Sequence, residues 1–214
     1  GRHVIIPGDV TPLDPAYQVR FQSYSIDENY RYNADQAYKN ACRLQTLVGI
    51  DDSAIHENAD GTTTLPVPQG VQAIDSFNDN TNRSGVALNV NTMEVPSSTL
   101  YVNANSGVQV IDGYRVASDN PAYTATDKGI LESKDGTEYI GVPYGMTQLD
   151  VPDGVSRVVV PDVNAIETLV IHAASAEDLP DIDLTKLSNC DIVVEDDVLD
   201  AFVVRYASAI EESG

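Results

Sequence analysis

The stretch LVIHAASAEDLPDIDLTKLSNCDIVV (169–194) begins and ends on a short β-branched run, Leu169–Ile171 and Ile192–Val194. Leu169 and Ile192 stand 23 positions apart (192 − 169), and the residues between them, AEDLPDIDLTKLSN, carry no strand periodicity. Branched side chains suit a pleated, half-buried surface, so two such runs at one spacing are best satisfied side by side, with an irregular return between them. That is one step of a coil whose strands stack in parallel. A third run, Val158–Val160, precedes the pair.

A nine-residue phrase recurs outside this stretch: IPGDVTPLD (6–14), VPQGVQAID (67–75) and VPDGVSRVV (151–159), with weaker echoes at Val95-Pro96, Val142-Pro143 and Val160-Pro161. Proline has no N–H to donate and holds the residue before it extended, so it ends a strand. Gly70 and Gly154, two positions later, can take the positive φ of a tight turn. Val71 and Val155 then return to the core, and each copy reads as strand end, turn, new core contact.

Other segments add elements. In NADQAYKNACRLQTLVGI (33–50), Ala37-Tyr38, Ala41, Leu44 and Leu47 recur at steps of three and predict a short helical turn feeding a strand at 47–50. DNPAYTATDKGILESKDGTEYIGVPYG (119–145) predicts a β-hairpin, Ile130-Leu131 against Tyr139-Ile140, joined through Lys134-Asp135-Gly136-Thr137. VLDAFVVRYASAI (198–210) places Val198, Leu199, Phe202, Val203, Tyr206 and Ile210 at i, i+3/i+4 spacing, an amphipathic helix that Asp196 or Asp197 would cap. The Asn-rich stretch 76–94 reads as a long loop or seam, and the Tyr-rich stretch 15–33 as carrying an alternating strand through Val19 and Phe21.

The charge balance excludes some partners. Thirty-three acidic residues against 12 basic ones give a formal charge of −21. Such a surface repels phosphate backbones and anionic headgroups, which argues against nucleic acid and membrane surfaces and favours solubility and cationic partners. No apolar run approaches the roughly 20 residues of a membrane span. Cys42 and Cys190 lie far apart with no CxxC spacing, and read as free, mostly buried thiols. The opening Gly-Arg-His-Val-Ile-Ile-Pro lacks both a basic and an apolar leader segment, and reads as a piece of a longer precursor.

Catalytic signals are sparse. His3, His56 and His172 stand apart, without HExxH or HxH spacing. There is no GxSxG, P-loop or GxGxxG opening a helix. Asp51-Asp52, Asp60, Asp135 and Glu195-Asp196-Asp197 could gather round Ca²⁺, but none completes an EF-hand loop, and Asp-Gly pairs serve ordinary turns. No catalytic residue, metal site or cofactor is assigned. The candidate ligand-binding residues are Tyr17, Tyr24, Tyr30 and Tyr32, in a cluster with Tyr38, together with His172 at the end of a predicted strand. Tyrosine offers a rigid face plus a hydroxyl, which suits recognition; it also fills cores in a chain that has no Trp.

Three segments together resemble the BspA-like leucine-rich-repeat surface proteins of host-associated bacteria. Residues 119–145 are similar to that family's insertion, with Asn120-Pro121, Gly129, Leu131, Lys134-Asp135-Gly136 and Pro143 in place. The nine-residue phrases resemble its strand-turn step, and Asn189-Cys190, Val194, Asp200-Ala201 and Phe202 its closing unit. Residues 37–47 resemble its core phrase, with Tyr38 replacing Phe and Ala41 standing where Cys is usual.

The resemblance implies an α/β, β-rich fold: an irregular leucine-rich-repeat solenoid, a right-handed coil of stacked parallel strands closed by a C-terminal amphipathic helix. The expected division is a Tyr-rich region with one degenerate repeat (1–75), an irregular connection (76–118) and a repeat-like unit with its cap (119–214), in one elongated domain. The implied function is non-catalytic adhesion at a bacterial cell surface, to an extracellular host or matrix protein or a glycan, without nucleic acid or membrane insertion. A passive spacer is the alternative. A carbohydrate-active enzyme, which needs two carboxylates facing each other across a cleft, is the distant third.

Overall fold

The computed structural model describes residues 4–5, 14–26, 30, 41–77 and 88–213. Its strands, numbered in chain order, form parallel stacks between which the chain winds. One stack holds β1 (Val4–Ile5), β3 (Ala41–Ile50), β6 (Ala73–Ile74) and β8 (Tyr101–Val102), with β2 (Tyr17–Ser25) antiparallel along β3. The facing stack holds β5 (Thr63–Pro66), β7 (Leu88–Val95) and β9 (Val108–Val116), with β4 (His56–Glu57) folded back on β5.

Downstream the alternation repeats. β12 (Glu138–Gly141), β14 (Arg157–Val158) and β16 (Asp181–Ile182) form one stack, and β13 (Gln148–Val151), β15 (Thr168–Ile171) and β17 (Asp191–Val194) the other. Between the halves, β10 (Tyr123–Ala125) and β11 (Leu131–Ser133) make an antiparallel meander with β12. Tyr144 N donates to Val110 O at 2.7 Å and Gly145 N to Ile111 O at 2.9 Å. These bonds join the lead into β13 to β9, so two separate ladders, β5–β7–β9 and β13–β15–β17, follow one another as one long, interrupted ladder.

The registers mark out the successive coils. Leu65 faces Met93 and Met93 faces Tyr114 in the upstream half; Leu149 faces Leu169 and Leu169 faces Ile192 in the downstream half. Side chains alternate across a strand, so each column stacks inward, and Leu65, Leu149 and Leu169 are fully buried. Each such leucine contributes roughly 2 kcal/mol by leaving water. The pair Leu169 and Ile192 in the sequence is one full coil.

The proline phrases are the corners of the coil. Val71 N donates to Pro68 O, Thr99 N to Pro96 O, Met146 N to Pro143 O and Val155 N to Pro152 O, at 3.1–3.3 Å. Gly70 and Gly154 take φ of +101° and +95°, and Val71 and Val155 are buried as the chain enters the next strand. The copy at 6–14 lies outside the described residues apart from Asp14.

Several expectations change. Residues 41–47 are not helical: they belong to β3 and pair antiparallel with β2. Residues 88–116 are not an irregular connection, because they carry β7 and β9, both long strands buried on their inward side. The strand through Val19 and Phe21 is β2, and the hairpin and the terminal helix form where expected. Asp196 and Asp197 do not cap that helix; they form a 3-10 turn leading into α1 (Leu199–Ser213).

Two hydrophobic cores meet at the meander. Leu131 belongs to the upstream core with Leu65 and Met93, while Ile130 belongs to the downstream one with Leu149 and Leu169. Asn120, fully buried, fixes the junction: its Nδ2 donates to Pro96 O (2.8 Å) and Thr99 O (2.9 Å), and its Oδ1 accepts from Ala122 N and Tyr123 N (both 2.8 Å). The first stack ends where Val102 N donates to the Tyr123 hydroxyl at 3.0 Å. At the far end, Phe202 and Tyr206 bury α1 against the downstream core, and Arg205 donates to Leu179 O at 2.7 Å.

Candidate functional site

The outward residues of β5, β7 and β9 form a polar face. Thr63, Asn91 and Asp112 make one row: Thr63 N donates to Asn91 Oδ1 at 2.9 Å, and Asn91 Nδ2 to Asp112 Oδ2 at 3.1 Å. Glu94 and Arg115 lie opposite each other in register, both exposed. Farther along, Asp150, Val170 and Val193 form a row across β13, β15 and β17.

On this face an open groove of about 500 Å³ lies between β9 and the turn 126–129. Its floor is backbone. A Cβ on Gly113 would sit 2.7 Å from Gly129 Cα, and Tyr114 N donates to Gly129 O at 2.9 Å. Only glycine allows that approach. Thr92, Asp112 and Arg115 line one side and Thr126, Asp127 and Lys128 the other. Lys128 Nζ reaches Asp150 Oδ2 at 3.5 Å, tying the groove to β13. Among the described residues Arg115 has no ion pair. On the far side of Tyr114 a smaller cavity of about 150 Å³ is lined by Asn105, Gln109, Tyr144 and Asp162.

This chemistry suits binding. The groove offers carboxylates, a guanidinium, an ammonium and hydroxyls, able to hydrogen-bond a polar ligand on several sides. Among the described residues no three of His, Cys, Asp and Glu converge as metal ligands, and Cys42 and Cys190 are free thiols. Burial raises the Cys42 thiol above its ordinary range.

Of the tyrosines anticipated as a contact face, Tyr17 and Tyr24 stand at opposite ends of β2. Tyr17 is half-buried and its hydroxyl donates to Pro66 O at 2.7 Å. Tyr24 sits at the other end of β2, roughly 23 Å away at 3.3 Å per residue. It is buried, its hydroxyl bonds Asp75 at 2.9 Å and Gln22 at 2.8 Å, and its ring centroid lies 5.0 Å from that of Tyr101. Burial pushes its hydroxyl pKa up, so it stays neutral. Tyr24 is therefore out of a ligand's reach. Tyr30 packs half-buried on the core at φ +59°. Tyr32 lies outside the described residues.

His172 is half-exposed on the outward face just past β15, with Nδ1 3.5 Å from Glu195 Oε1. It shares the face with the groove, whereas the groove residues themselves had no signal in the sequence beyond an isolated glycine inside a strand, the mark of a close backbone approach.

No family model matches the chain, and no curated protein does. Solved structures resemble it distantly. The pneumococcal vaccine antigen PcpA matches at 14% identity and a TM-score of 0.37, over 64% of this chain and 37% of that one. A leucine-rich repeat protein from Eubacterium ventriosum matches at 13% and 0.36, over 60% and 47%. A leucine rich cell surface protein from Faecalibacterium prausnitzii matches at 14% and 0.33, over 94% and 49%. The ladders and proline corners make the fold an irregular solenoid of stacked parallel strands. The solenoid spans less than half the length of each neighbour.

Proposed function

We propose that this solenoid is a non-catalytic binding module of a bacterial cell surface, which takes an extracellular protein or glycan against the outward face of its long ladder. The observation that carries the reading is the groove over Gly113 and Gly129, where side chains of both charges and several hydroxyls surround a backbone floor. Strands position polar contacts more precisely than loops do, and β9 supplies one side of the groove. His172 would extend the contact toward β15. No helix among the described residues is long and apolar enough to cross a membrane.

The test is an array of glycans and matrix proteins probed with the wild type and with a D112A/R115A variant. Both side chains are exposed, so the variant keeps the fold. The expected result is a ligand whose binding falls about tenfold or more in the variant. No ligand at high-micromolar concentration, or ligands indifferent to the variant, would remove the groove and favour a spacer.

A further inference from the structure

The end of the long ladder at β17 is unlike its interior. In β13 and β15 the inward residues Leu149, Val151, Leu169 and Ile171 are at most 1% exposed. Their counterparts in β17, Ile192 and Val194, are only half-buried. Among the described residues β17 pairs with β15 alone, so its other edge presents open amides and carbonyls. α1 does not close this edge: it lies against the 184–186 turn, held by Phe202, Tyr206 and Arg205.

Exposed apolar side chains concentrate at the same end. Val193 is 51% exposed on β17, and Leu199 and Val203, one helical turn apart at the start of α1, are 45% and 48% exposed. Acidic groups frame them: Asp191 and Glu195 flank Val193 on the outward side of β17, and Asp196, Asp197 and Asp200 follow. Native sheets protect their edges with lysines, prolines or covering elements. This edge has acidic flanks and an unsealed core.

We infer that β17 is a docking edge for an extended segment of a basic partner protein, which adds as the next strand of the ladder. Its apolar residues would cover Ile192 and Val194 on the inward side. On the outward side lysines or arginines would face Asp191 and Glu195, and the stem of a third would lie along Val193. A second copy of this chain is the poorer occupant. Antiparallel pairing about Val193 would set Asp191 against Glu195 twice, like charges directly opposed, between chains that each carry −21. The inference is independent of the groove, which lies on the face of the ladder and not at its edge.

The experiment titrates the full chain with a labelled synthetic peptide alternating lysine and valine, beside the same peptide with a central proline and one alternating glutamate and valine. The expected result is saturable binding of the lysine peptide with amide perturbations at 191–195, and losses of about tenfold or more for the proline and glutamate peptides. Val193→Lys blocks the edge and should weaken binding as much. Glu195→Lys, at an exposed position, serves if that variant fails to fold. Absence of binding, equal binding of the proline peptide, or equal binding by both variants overturns the inference. So does self-association of the wild type that Val193→Lys abolishes, which would give the edge to a second copy.

Discussion

Adding one methyl group at Gly113 tests the junction on which the groove is built. Replacing glycine by alanine inside a strand normally stabilises, by roughly 0.5–1 kcal/mol, because the unfolded chain loses freedom. Here the new Cβ would stand 2.7 Å from Gly129 Cα and 3.1 Å from Gly129 O. Carbon pairs prefer about 3.5–4.0 Å, so the two backbones must separate by about 1 Å. Overpacking of that kind costs roughly 1–3 kcal/mol, and stretching the bond from Tyr114 N to Gly129 O adds about 1 kcal/mol. Less the ordinary gain, Gly113→Ala should therefore destabilise by about 2 kcal/mol, which for a chain of this length lowers Tm by about 4–8 °C. Gly129→Ala adds the strain of φ +81° to the same contact and should cost more. Gly136→Ala, with φ +74° and nothing within 4 Å, should cost only about 1–2 kcal/mol. Thermal unfolding followed by circular dichroism ranks the three. A Gly113→Ala protein as stable as the wild type would refute the close approach and, with it, the groove floor.

Asn120→Ala leaves two carbonyls and two amides of the junction without their partner, so we expect a loss of about 3 kcal/mol or more, read by urea denaturation; Asn120→Asp should not rescue it, since a carboxylate cannot donate to Pro96 and Thr99. Burial raises the hydroxyl pKa of Tyr24, Tyr114 and Tyr123. Their folded values lie above the unfolded one of about 10, so the stability they contribute is complete below that pH and is lost as pH rises beyond it. Phenolate absorbance should show these three ionising only with the loss of the circular dichroism signal, and reversible titration of every tyrosine in the folded protein would contradict their burial. Phe202→Ala should cost about 3–5 kcal/mol at the helical cap, accelerating amide exchange at 184–187 while leaving β5 and β7 protected; uniform acceleration would mean the ends are coupled more tightly than two cores imply.

Legibility in the sequence followed chain regularity. Downstream, one coil places Leu169 and Ile192 in one column, each inside a short branched run, so the period stood out. The proline corners were readable because one residue type performs one task at each. Upstream, the coils that bring Leu47, Ile74 and Val102 into register are longer, and the outward Asn89 and Asn91 hid the same architecture. Ala41, Leu44 and Leu47 imitated a helix for a specific reason: β3 is buried on both faces, Leu44 among Tyr24, Cys42 and Ala73 and Leu47 among Leu65 and Ile74, so its apolar residues do not alternate with polar ones. The groove was unreadable because its two sides come from Asp112-Gly113 and Lys128-Gly129, dipeptides that read as turns, and the first of them lies inside β9. Density of tyrosines along the chain says nothing of direction, and β2 sets Tyr17 and Tyr24 at its opposite ends.

The hydroxyl of Tyr123, meeting the amide of Val102, ends a stack of strands with one atom where another strand would otherwise be required. Every coil of that stack offers the same kind of amide at its edge. Duplicating or deleting one upstream coil, such as the one that carries the chain from Ile74 to Val102, would present an equivalent amide to the same phenol, and the seam would close again. Reach is thereby separated from recognition: descendants of this gene can lengthen or shorten the arm while the half beyond the seam is inherited unchanged.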